Sequence, residues 1–323
     1  MGWWGKQIIK SLKNSSRFEV LYGIDPLPSP DISDFVAQHH LRLETDLAAV
    51  LRNEAVEGVV LATPHLLHEE QILAVVAAGK NVFCEKPLTM TADGATRVLD
   101  ACNKAGKVLG VGHERRWEPA FEELARLIQS GSLGRIQYMD ANVSHNQFQR
   151  LASSNWRLDP AHAPAGMMTA VGIHLTDLFV NFAGPASEVR ARTARMILPR
   201  PAEDFVAANI VFKSGTRATV TSLSATPFYS RFTVFGDAGW AEVINEANVD
   251  QNKPTTLTHS DGGKRTSVVF EAVDTVALNF QHWADAVEKR VKYRFTTEQL
   301  IENIRLFAAI VHSSRQGGAV LSL

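Results

Sequence analysis

Two cysteines in 323 residues, Cys84 and Cys102, cannot provide a disulfide framework. Both fall in apolar helix or strand patterns and read as buried thiols of a reducing cytoplasm. No apolar stretch reaches the roughly 18 residues that a membrane-crossing helix needs, so no membrane partner is expected. A basic stretch followed by an apolar one is missing from the N-terminus, so no signal peptide is expected and a cytoplasmic protein is. Neither sign of charge predominates: 33 basic and 34 acidic residues leave a net charge of -1. That balance argues against nucleic acid or an anionic membrane surface as partner. No metal is expected, because His65-x-x-His68-Glu69 is not the His-Glu-x-x-His zinc pattern and no cysteine pair accompanies a histidine. No serine, cysteine or acid pair stands in a hydrolase motif.

What is present is an ordinary globular composition, 45% hydrophobic and 21% charged, in a chain long enough for two domains. The first third alternates strand and helix. A helix over Gly5 to Lys13 precedes a strand over Phe18 to Ile24, and an apolar strand over Val56 to Ala62 precedes a helix from Glu69 to Ala78. Ala78-Gly79-Lys80 and Ala105-Gly106-Lys107 each close a helix at a glycine able to turn left-handed, with a strand directly after it. This alternation predicts a parallel sheet covered on both faces. After about Arg116 the pattern changes. A helix over Pro119 to Gln129 leads to a turn at Gly131-Ser132-Leu133-Gly134, and period-two strands follow, one marked by Val206, Ala208, Ile210 and Phe212. Two amphipathic helices end the chain, one with Val276, Phe280, Trp283 and Val287, the other with Leu300, Ile304, Phe307 and Val311. The expected fold is α/β: a parallel dinucleotide-binding domain over 1–116, then an α+β domain over 117–323 on a large, mostly antiparallel sheet.

The opening Met1-Gly2-Trp3-Trp4-Gly5, with Asp25 at a strand end 20 residues after Gly5, has the spacing of the second half of a dinucleotide fingerprint. Gly2, Trp4 and Gly5 are therefore cofactor candidates, and Asp25 is the candidate for the adenosine ribose. The first glycine and first strand of that fingerprint would fall before Met1, so the first strand is expected to be truncated and the native protein to begin upstream. A carboxylate at Asp25 repels a 2′-phosphate, and Pro26-Leu27-Pro28-Ser29 offers no cation to hold one. NAD is therefore expected over NADP.

Glu85-Lys86-Pro87 follows the apolar run Asn81-Val82-Phe83-Cys84, where a parallel strand should end and where ligands of open α/β sheets bind. The triplet resembles the signature of the glucose–fructose oxidoreductase/inositol dehydrogenase (Gfo/Idh/MocA) family. Ala62-Thr63-Pro64 with His68, Gly112-His113-Glu114-Arg115-Arg116, Asn155-Trp156-Arg157, Gly166 to Asp177, and Phe235 to Trp240 extend the resemblance over nearly the whole chain.

The resemblance implies hydride transfer between a nicotinamide and the carbinol carbon of a sugar, cyclic polyol or dihydrodiol-like alcohol, with Lys86 moving the hydroxyl proton. It implies Thr63, Pro64, His68, Glu85 and Lys86 as cofactor contacts, with a cis bond before Pro87. It places His174 at the reacting hydroxyl, and the substrate candidates are Lys86, Arg116, Arg157, His162, His174 and Asp177. It also implies a homodimer or homotetramer paired through the second domain's sheet. At one position the chain departs from the family pattern: Ala170, after Thr169, stands where an aspartate is common. Thr169, Asp177 or a water could take over from it. The departure also motivates an alternative, a non-catalytic nucleotide or sugar sensor on the same scaffold.

Overall fold

The computed structural model describes residues 1–13, 15–251 and 253–323. The chain begins with α1 (Trp3–Leu12), β1 (Tyr22–Ile24), α2 (Pro30–Gln38), β2 (Arg42–Glu44), α3 (Leu47–Leu51) and β3 (Gly58–Leu61). It continues with α4 (His68–Ala77), β4 (Asn81–Cys84), α5 (Ala92–Ala105), β5 (Leu109–Val111), α6 (Pro119–Gln129), β6 (Ile136–Ser144) and α7 (Gln147–Arg150). A π-helical segment, Met168–Gly172, runs into α8 (Ile173–Ala183). There follow β7 (Ala186–Ala194), β8 (Phe205–Phe212), β9 (Arg217–Leu223), β10 (Tyr229–Gly236), β11 (Trp240–Asn245), β12 (Thr255–Ser260), β13 (Arg265–Phe270), α9 (Thr275–Val287), α10 (Thr297–Arg315) and β14 (Leu321–Ser322).

Two compact units result. The first comprises Met1–Thr89, Asp93–Glu114 and Asp274–Phe295. Its strands are parallel, in two separate ladders, β1–β2 and β3–β4–β5. Among the described residues no strand joins β1 to β3. The helices end as expected: Gly79 and Gly106 adopt φ of 72° and 62°. Lys80 N–H and Lys107 N–H reach back to the Val75 and Cys102 carbonyls, closing each helix with the wide loop typical of a left-handed terminus.

Two expectations for this unit need correction. The strand predicted over Phe18 to Ile24 begins only at Tyr22. Phe18 and Val20 instead pack on a core of Ile8, Leu12, Phe83, Phe280 and Trp283, with the Phe18 ring stacked on Trp283 at 6.2 Å. Burying these side chains against a helix outweighs extending a short ladder. The second correction is to the domain boundary. The break near residue 115 lies close to the predicted 116, but Asp274–Phe295 returns to the first unit, so 117–323 is not one continuous domain. The helix α9 supplies Phe280 and Trp283 to that core, and the Trp283 indole N–H donates to the Val108 carbonyl at 3.2 Å.

The second unit carries a nine-stranded sheet in the order β13-β12-β11-β10-β6-β9-β8-β7-β14. Only β6 and β9 pair in parallel; the other neighbours are antiparallel. Val206, Ala208, Ile210 and Phe212 are buried on one face, as their alternation predicts. On this unit α10 packs on β7 and α8, while α6 lies on β11 and β12. α10 starts at a capping box in which Thr296 and Gln299 satisfy each other's backbone N–H. The two glycine turns read from sequence meet here: Ala238 N–H donates to the Leu133 carbonyl, and Arg135 N–H to the Asp237 carboxylate. Among the described residues no helix is long and apolar enough to cross a membrane.

Candidate active site

In the first unit, loops at the carboxyl ends of the parallel strands carry most of the predicted residues. At the end of β4 the Lys86-Pro87 bond is cis, as the resemblance implies. Glu85 is buried, and its Oε2 accepts from the Lys86 backbone N–H at 3.3 Å. Gly112 makes room for that carboxylate: a Cβ there would stand 2.5 Å from both Glu85 oxygens. The end of β5 is held by residues far along the chain. Asn279 Nδ2 donates to the Val111 carbonyl at 2.8 Å, and Tyr293 Oη accepts from Val111 N–H at 3.1 Å and donates to Asn279 Oδ1 at 2.6 Å. Sequence reading named Gly112 only within a motif and missed Asn279 and Tyr293, because their roles exist only once β4, β5 and α9 lie together.

His68 is fully buried on the first turn of α4. Its Nδ1 is 2.7 Å from the Pro87 carbonyl oxygen and its Nε2 is 3.1 Å from the Thr63 carbonyl oxygen. Burial pushes its pKa down; the two carbonyls oppose that, and the Lys86 charge adds to it. One turn along α4, Gln71 Oε1 accepts from the Thr63 hydroxyl at 2.6 Å. A direct cofactor contact, expected of His68, does not fit a ring whose two nitrogens both face backbone.

At the start of the unit, α1 begins at Trp3, directly after Gly2, and no heavy atom lies within 4 Å of where a Cβ on Gly2 would stand. Trp4 packs partly against the core, and its buried indole N–H has no hydrogen-bond partner among the described residues. Gly5 faces Met1 and Ala62. Asp25 follows β1; its Oδ1 accepts from Leu27 N–H at 2.9 Å and its Oδ2 pairs with the Met1 ammonium. Open space at a helix N-terminus, with a carboxylate at the neighbouring strand end, suits the adenosine and pyrophosphate of a dinucleotide.

In the second unit, His174 and Asp177 share α8 three residues apart, as predicted, and both are buried. Asp177 is wholly engaged: Arg116 Nε and Nη2 donate to its two oxygens at 2.7 Å each, and Arg116 Nη1 donates to Asn181 at 3.0 Å and Gln299 at 2.9 Å. This fork ties the segment after the first unit to α8 and α10. It does not suit the substrate contacts expected of Arg116 and Asp177. Thr169, Asp177 or a water was the expected stand-in for an aspartate at position 170. Thr169 is buried and its hydroxyl donates to the Pro164 carbonyl, so neither side chain is available for that role. The Arg157 guanidinium lies 4.3 Å over the Trp156 ring, while His162 pairs with Asp159 at 2.8 Å on the surface. The π-helical turn just before His174 had no sequence signal; such turns recur at functional sites. Among the described residues, no three His, Cys, Asp or Glu side chains converge as metal ligands would.

A parallel dinucleotide-type unit with a lysine at the end of β4, in a chain that also carries a unit built on a large antiparallel sheet, has the layout of an NAD(P)-dependent oxidoreductase. Comparison with known proteins gives the family. Residues 1–113 match the oxidoreductase family's NAD-binding Rossmann fold, and residues 121–242 match the GFO/IDH/MocA C-terminal domain. D-xylose 1-dehydrogenase (NADP(+)) 2 of Haloferax volcanii is 28% identical over 84% of this chain and 82% of its own length. The 1,5-anhydro-D-fructose reductase of Ensifer adhaerens is 29% identical over 85% and 82%. The crystal structure of aldose-aldose oxidoreductase from Caulobacter crescentus, complexed with glycerol, superposes with a TM-score of 0.87 at 20% identity, covering 100% of this chain and 97% of that one. The chain belongs to the Gfo/Idh/MocA family of dehydrogenases acting on sugars and polyols.

Proposed function

We propose that this chain oxidises or reduces the carbinol carbon of a sugar, cyclic polyol or dihydrodiol-like alcohol, with Lys86 moving the hydroxyl proton. The observation that carries this reading is Lys86 itself, on a turn braced by Glu85 and His68 at the end of a buried parallel strand. A bound nicotinamide supplies or takes up the hydride. In reduction the Lys86 ammonium donates a hydrogen bond to the substrate oxygen, stabilises alkoxide charge and gives up its proton; in oxidation the neutral amine takes the hydroxyl proton. His174 orients the reacting hydroxyl. Arg157, its guanidinium over the Trp156 ring, is the arginine assigned to substrate. Arg116 and Asp177 act as scaffold, and the second unit binds substrate.

The proposed cofactor is NAD. Asp25 supports it, because a carboxylate at that strand end accepts both ribose hydroxyls and repels a 2′-phosphate. The Haloferax relative is named for NADP(+), so titration with both reduced cofactors, followed by energy transfer from tryptophan, decides the matter. Tighter NADPH binding would refute the assignment. A homo-oligomer is proposed through the outer sheet face, where Tyr229, Phe235, Ile244 and Val269 stand exposed. Two buried thiols fit a reducing cytoplasm.

Ala170, with Thr169 and Asp177 both engaged, favours one second reading, a sensor that binds the cofactor without turnover. An alcohol and sugar panel separates the two. Turnover lost in Lys86→Ala supports the enzyme; NADH binding with no turnover on the whole panel supports the sensor.

A further inference from the structure

Two carbonyl oxygens face the two ring nitrogens of His68, from two different loops. Pro87 O belongs to the turn that carries Lys86, and Thr63 O to the loop after β3. Carbonyls only accept, so His68 can act here only by donating, and a neutral ring donates from one nitrogen. The 2.7 Å contact identifies Nδ1–H to Pro87 as the stronger bond. Complete burial removes competing water and leaves no surface for a ligand. Gln71, three residues on and on the same helical face, holds the Thr63 hydroxyl. One short stretch of α4 thus grips both loops.

We propose that His68 is a positioning residue that fastens the Lys86-Pro87 turn to α4, whose Gln71 holds the Thr63 loop, so that Lys86 keeps its place through the reaction. The proposal rests on the reading of Lys86 given above. Rigid placement matters because a shift of about 1 Å in a catalytic group can cost a hundredfold in rate.

Three substitutions separate the possibilities. His68→Asn keeps a donor near the Nδ1 position and so the bond to Pro87. His68→Gln keeps one near Nε2, toward Thr63. His68→Phe fills the space and donates to neither. The fastening role predicts that His68→Phe lowers kcat roughly tenfold to a hundredfold with KM and NADH affinity within about threefold. It predicts that His68→Asn regains most of that rate and that His68→Gln does not. Hydrogen exchange of the peptide covering 84–89 rises in the Phe and Gln variants and stays near wild type in Asn. Unchanged kcat in the Phe variant, an Asn variant no better than Gln, or unchanged exchange across the turn overturns the proposal. Should His68→Phe fail to fold, the Asn and Gln pair decides alone. Should the wild type turn over no substrate, the Lys86 reading fails by itself, while the exchange measurement still tests the fastening.

Discussion

Replacing Asp177 by asparagine tests whether the Arg116 fork is scaffold or substrate site. Both side chains are almost wholly buried, at 3% and 2% exposure. Arg116 donates to four side-chain oxygens, two of them on Asp177 at 2.7 Å. The Asn181 and Gln299 amide oxygens remain in the variant, but the Asp177 carboxylate does not. Removing one partner of a buried pair costs about 3–5 kcal/mol, because the surviving charge stays desolvated. Coulomb's law at an effective dielectric of about 20 gives the same order, roughly 4 kcal/mol at 4 Å. For a domain of this size that is a fall in Tm of roughly 6–20 °C by calorimetry. Joint replacement, Arg116→Met with Asp177→Leu, should restore much of the loss, because the uncompensated charge disappears with its partner. In the surviving folded fraction of Asp177→Asn, KM should change little. A variant within about 1 kcal/mol of the parent, with KM raised tenfold or more, would refute the scaffold reading and return both residues to the substrate site.

Other perturbations address separate parts of the molecule. Lys86→Arg should lower kcat by about 10²–10⁴-fold while NADH affinity holds, since guanidinium cannot release its proton at working pH; near-normal kcat would remove Lys86 from proton transfer. Burial raises the Cys102 thiol to about 11 and the Cys84 thiol well above its usual value. At pH 8 only about one Cys102 in a thousand is thiolate, so the folded protein should resist a thiol reagent that labels both cysteines in denaturant; fast labelling of the native protein would refute this. His68 titrates below its ordinary 6.5 in the folded chain. Below that pH the unfolded state therefore binds the extra proton, and stability falls with acidification by at most about 1.4 kcal/mol per pH unit. Comparing His68→Asn with the parent in denaturant titrations between pH 5 and 7 should show that slope missing from the variant; parallel curves would count against it. Gly236→Ala would drive a Cβ into the Leu133 carbonyl and should cost about 1–3 kcal/mol, read as a lower Tm.

Features governed by local physics were legible from the chain itself. The strand Asn81–Cys84 and the helix Pro119–Gln129 form where their apolar spacing predicts, because period and capping residues act within a few positions. Gly79 and Gly106 turn left-handed where a residue without Cβ is needed. The ordered motifs around Lys86 pointed to the family before any coordinates did. Roles that depend on partners distant in sequence were not legible. Amphipathic spacing showed that α9 buries Phe280 and Trp283, but a helical stripe carries no address, and only packing sent it back to the first unit. His68 read as a ligand because the carbonyls that take up its ring lie on two separate loops. Arg116 and Asp177, 61 residues apart, read as groups for a substrate until burial brought them together. Sequence alone determined where most of the predicted helices and strands lie and which side chains can carry chemistry. The tertiary structure decided which of those side chains face each other, because hydrogen bonds and ion pairs form between neighbours in space, and space is set by the whole core.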